Sequence, residues 1–215
     1  MKKLLAIAAA LMLLGCVQPQ APTPTSSPTA SVPTTISAAT FTPTPSAALP
    51  SNFSNEIVAL GEATKDLTIV NGEMMGTLKE VSDTRASLRA YSAHLQYLDP
   101  EADETAFIQK NVEAISEFLS SNEYYLGAVN TGNAKLSDNF TCTDAPAYNL
   151  MTTLMTQSIQ HGMTGVEILR TTAKQYHAMA DSVGTDVAAD LINAFYDGMG
   201  SSLNETSGFI KTRCG

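Results

Sequence analysis

Three histidines, His94, His161 and His177, are the side chains of this 215-residue sequence best suited to hold a metal or move a proton near neutral pH. Their surroundings argue against both uses. None has a glutamate three residues before it, so the Glu-x-x-His pairs that build a di-iron helical bundle are absent. On one helix His161 and His177 would stand about 160° apart and could not share an ion. There is no Cys-x-x-Cys-His for covalent haem, no Gly-x-Ser-x-Gly, no P-loop and no His-Glu-x-x-His. Seven methionines, Met74, Met75, Met151, Met155, Met163, Met179 and Met199, offer soft thioethers of the kind that bind monovalent copper. Methionine is also the usual gap-filler of cores that lack tryptophan, as this one does, and most of these positions fall on or beside apolar seams. Met151 and Met155, one turn apart, are the pair to examine. The expectation is a protein without catalytic residues, metal or cofactor.

The three cysteines carry more information. Met1-Lys2-Lys3 is basic, and Leu4 to Leu14 is apolar but too short for a membrane span, which needs about 20 residues. The following Leu13-Leu14-Gly15-Cys16 resembles the lipobox of prokaryotic lipoproteins. That resemblance covers residues 1–16 alone. It implies cleavage after Gly15, a diacylglycerol on the Cys16 sulfur and acylation of the new amino terminus. Two or more acyl chains hold a protein durably, each buried CH₂ contributing about 0.8 kcal/mol. The expected location is therefore the face of a cell or outer membrane, with the domain extracytoplasmic.

Behind Cys16 the composition changes abruptly. Residues 17–50 hold eight of the ten prolines, 13 serines and threonines, and no charge. Such a tract buries too little to offset its conformational entropy, so residues 16–50 are expected to form a lipidated, disordered linker behind a 1–15 signal peptide. Residues 51–215 suit one domain. Ten lysines and arginines against 21 acids leave the mature chain at −11. This balance excludes a nucleic-acid surface and disfavours anionic headgroups.

Apolar residues then recur with helical spacing. Phe53, Leu60, Leu67, Met74, Val81, Leu88 and Leu95 repeat every seven residues, and Asp99-Pro100 stops the series. A second seam runs Thr105, Ile108, Val112, Ile115, Leu119, Asn122, Leu126, Val129, and a third from Tyr148 to Val183 ends at Gly184. A fourth starts at Asp186 and presents Leu191, Ile192, Phe195, Met199, Leu203 and Ile210. The expected fold is all-α, an antiparallel up-and-down four-helix bundle with a long first helix that overhangs or breaks at Gly61, Gly72 or Gly76. Helices three and four, joined at Gly184, return Cys142 and Cys214 to one end. With Cys16 lipidated, these two are expected to form a disulfide, the alternatives being free thiols or a bridge to another chain.

Three functions remain open. The first is a noncatalytic surface bundle that binds a partner protein or small ligand, with Asn71, Arg85 and Asn122 interrupting the seams to mark a site. The second is Met/His metal or haem handling at the envelope. The third is a structural spacer between envelope layers.

Overall fold

The computed structural model describes residues 51–135 and 142–214. Cys16, the leader and the Ser/Thr/Pro tract lie outside the described residues. Within them the chain is an all-helical bundle with no strand. The helices are α1 (Ser51–Ala63), α2 (Leu78–Leu95), α3 (Asp103–Lys135), α4 (Ala145–Gln175), α5 (His177–Val183) and α6 (Thr185–Cys214), with 3-10 turns at Ile69–Asn71 and Cys142–Asp144. Among the described residues no helix is long and apolar enough to cross a membrane.

Helix α4 is central and packs most broadly on α3 and next on α6. Residue pairs give the directions. Along α3, Glu117 meets His161 and Ser121 meets Ser158, while Phe107 reaches Tyr176 just past the end of α4. Numbers rise on one helix as they fall on the other, so the two are antiparallel. Arg170 reaches Asp190 and Gly162 faces Tyr196, which sets α6 antiparallel to α4.

The long first helix is not formed. Residues 51–95 make two helices that lie side by side, as the Tyr91 hydroxyl shows by donating to the Glu56 carbonyl at 3.1 Å. Local chemistry explains the break. The Thr64 hydroxyl donates back to the Leu60 carbonyl at 2.8 Å as α1 ends, and Gly72 adopts φ 71°, the left-handed conformation that glycine takes without a Cβ penalty. Thr77 and Glu80 then form a reciprocal capping box that starts α2. The seven-residue apolar series passes through this break because Leu67, buried, and Met74, half-buried, keep its spacing there without being in an α-helix. A periodic pattern reports burial, and a compact turn can keep the period of a helix.

A smaller interruption separates α4 from α5 at Tyr176, whose ring packs edge-on to Phe107 at 6.1 Å between centroids. Thr172 bonds back to Ile168 one turn earlier, the kind of side-chain bond that bends a helix. Gly184, at φ 69°, ends α5 with its N–H on the Ala180 carbonyl, as expected. At the far end, Cys142 and Cys214 stand at disulfide-bonding distance, with Cα atoms 5.4 Å apart.

Two glycines set how closely the long helices approach. A Cβ on Gly162 would lie 2.0 Å from Cζ of Tyr196, and one on Gly165 would lie 2.5 Å from Cε1 of Phe118. Each ring is seated directly on the α4 backbone. Below them the core continues through Leu119, Val166 and Ile192, and Phe53 meets Phe107 with ring centroids 5.7 Å apart.

Candidate functional site: an apolar cavity bounded by α1, α3 and α6

The polar seam residues do not converge. Asn122, fully buried, accepts the Met75 N–H on Oδ1 at 2.7 Å and donates Nδ2 to the Phe118 carbonyl at 2.8 Å. Its amide therefore fastens the 64–77 connection to α3. Arg85 pairs with Glu123 at 2.9 Å on the surface, and Asn71 is exposed in the 3-10 turn. The site these three were expected to mark is not assembled.

The histidines are dispersed too. His161 Nδ1 lies 2.6 Å from Glu117 Oε2, with its ring stacked on Tyr124 at 5.2 Å. His94 meets Glu56 at 3.1 Å, and His177 meets Asp181 one turn away at 2.9 Å. Each pair ties down its own piece of surface. Among the described residues no group of three His, Cys, Asp or Glu side chains is placed to hold a metal ion.

A layer of buried hydroxyls joins the three long helices. Tyr196 donates to Ser121 Oγ at 2.7 Å, Ser121 and Ser158 are 3.0 Å apart, and all three residues are inaccessible to solvent. Burial pushes the Tyr196 phenol well above its ordinary range. Burial does the same for Tyr91, reinforced by the negative Glu56 beside it. Neither phenol can serve as a base at neutral pH. Paired buried hydroxyls of this kind select one register of helix packing, since a shifted register would leave them unsatisfied.

One feature able to receive a small apolar ligand is a half-open cavity of about 210 Å³. Its walls are Leu60 of α1, Leu67 of the following turn, Phe118 of α3, Leu169 of α4 and Ile192 of α6. Thr64, Asn111 and Thr185 supply the polar groups at its edge. Two of these are already committed, Thr64 to the Leu60 carbonyl and the Asn111 Nδ2 to the Phe107 carbonyl at 2.8 Å. The lining is thus mainly apolar and suits an uncharged, apolar guest. Gly61 keeps the space open, because a Cβ there would meet nothing within 4 Å.

Most of the walls belong to the apolar seams legible in the sequence, but their failure to close on one another was not. Gly61, one residue after the seam leucine Leu60, was the single local sign of missing volume. Phe118 lies off the expected seam and faces inward because Gly165 makes room for it. No family model, curated protein or solved structure matches the chain.

Proposed function

We propose that the chain is a membrane-anchored surface lipoprotein whose noncatalytic helical domain binds a small apolar ligand. Residues 1–15 form the signal peptide, Cys16 carries the lipid, residues 16–50 are the linker and residues 51–215 are the binding domain. The arrangement is antiparallel and up-and-down, with the α1–α2 hairpin in place of a single fourth helix. The observation that carries the reading is the cavity of about 210 Å³, apolar and bordered by the irregular connection after α1. Apolar wall left facing water forfeits the burial that a guest would supply, about 25 cal/mol per Å² covered. A guest somewhat larger than benzene has the size to cover that wall. The 64–77 connection, bonded to α3 through Asn122, supplies Thr64 and Leu67 to the cavity's rim.

The membrane half of the proposal rests on Leu13-Leu14-Gly15-Cys16. Cys16→Ser is expected to abolish metabolic labelling by a fatty acid and either release soluble protein or trap the precursor. Persistence of the label would end the lipoprotein reading. For the ligand, organic extraction of protein purified from its own host, followed by mass spectrometry, is expected to yield a small apolar compound in near-stoichiometric amount.

A further inference from the structure

A second cleft, of about 580 Å³, shares no lining residue with the first and is lined by Met151 and Met155 of α4 and Met199 of α6. The three methionines differ from those of the core. Met75 and Met179 are buried and fill space between helices, whereas Met151, Met155 and Met199 are half-buried around an open groove. Met151 and Met155 stand one turn apart on the same face, and Met199 answers them from the neighbouring antiparallel helix.

The rest of the lining defines what such a groove would accept. It contains no carboxylate and no histidine, only hydroxyls, small residues, Leu203 and the rings of Tyr125 and Phe195. Hard divalent cations need anionic oxygen donors, so the groove has nothing for calcium or magnesium. Thioether sulfur prefers soft monovalent ions, and the faces of aromatic rings favour a desolvated cation nearby. We propose that Met151, Met155 and Met199 form a three-thioether site for a soft monovalent metal ion of the copper(I) class. The long, unbranched methionine side chain has three rotatable bonds, which gives each sulfur reach and freedom to turn toward a shared ion. Binding is a coordination step alone, with no bond cleaved and no change of oxidation state. This site is separate from the apolar cavity and does not depend on it.

The test is a titration of the full chain carrying Cys16→Ser, so that no free thiol competes, with copper(I) against a chromophoric copper(I) chelator under anaerobic conditions. One equivalent is expected to be withheld from the chelator. Met155→Leu and Met199→Leu keep the apolar volume and are each expected to weaken binding at least tenfold, while Met75→Leu leaves it unchanged. Because thioethers do not protonate, affinity is expected to be flat between about pH 5 and pH 8, where histidine ligands would lose it. A metal-edge absorption spectrum is expected to show only sulfur neighbours. Failure to compete with the chelator, equal binding by the leucine variants, or a nitrogen-dominated spectrum would each overturn the site.

Discussion

Tyr196 on α6 donates its hydroxyl to Ser121 on α3 at 2.7 Å across 75 residues of sequence, and neither side chain touches solvent. The bond joins two helices that are not neighbours in the chain and does so over the backbone of Gly162, which has no side chain to obstruct the ring. The two ends of this bond differ in what their loss would strand. Tyr196→Phe leaves Ser121 still paired with Ser158, whereas Ser121→Ala leaves the Tyr196 hydroxyl and Ser158 without their partner. Stranding a buried polar group costs about 1–3 kcal/mol. Urea denaturation is expected to show Ser121→Ala as the more destabilising change, and the reverse order would show that the hydroxyls are not the fastening.

Alkaline pH is expected to weaken the domain through its two buried phenols. Tyr91 and Tyr196 are both held above their ordinary values, chiefly by burial. The unfolded chain ionises them near pH 10, while the folded chain keeps them neutral there. Their contribution is therefore fully present below about pH 10 and is lost as pH rises through the folded values. Urea denaturation at pH 9 and pH 11 is expected to show a fall in stability that is smaller in the Tyr91→Phe, Tyr196→Phe double variant. An equal fall in the variant would assign the effect to other groups.

The positions that the sequence made legible were those governed by local rules. Gly184 and the seam residues Leu88, Ile108, Leu119 and Ile192 stand where periodicity and turn chemistry put them, while the stop expected at Asp99-Pro100 falls inside a connection that begins earlier, after Leu95. What periodicity could not show was the break after α1, because Leu67 and Met74 keep the seven-residue spacing although they stand in the irregular 64–77 connection. Nor could it show the cavity, which arises where several elements meet imperfectly. Asn122 looked like a functional polar residue on a seam, and its role as acceptor for the Met75 N–H required knowing where the chain folds back.

Joining Cys142 to Cys214 closes a loop with a sequence separation of 72. In the chain-entropy account such a closure contributes about 4 kcal/mol, a large share of the stability of a small domain. A nonreduced digest is expected to contain the Cys142–Cys214 peptide pair, and the Cys142→Ser, Cys214→Ser variant is expected to unfold at markedly lower urea. Free thiols at both positions after folding in an oxidising compartment would contradict the pairing of α6 with the start of α4.

The ligand-binding claim is tested most directly by closing the cavity without harming the fold. Gly61→Leu adds a side chain where nothing lies within 4 Å and removes a helix-weakening glycine, a change of about 1 kcal/mol in helix propensity. Two proteins are compared by thermal unfolding, both full chains carrying Cys16→Ser, one with Gly61 kept and the other with Gly61→Leu added. Each is measured in the presence and absence of naphthalene, an apolar probe of suitable size. At about 100 times Kd a bound probe adds about 2.7 kcal/mol, which for a domain of this length raises Tm by about 5–10 °C. The account predicts that rise for the protein with Gly61, and for Gly61→Leu a higher starting Tm with no response to the probe. An unresponsive Gly61 protein, or an equal rise in both, would contradict a ligand site in this cavity.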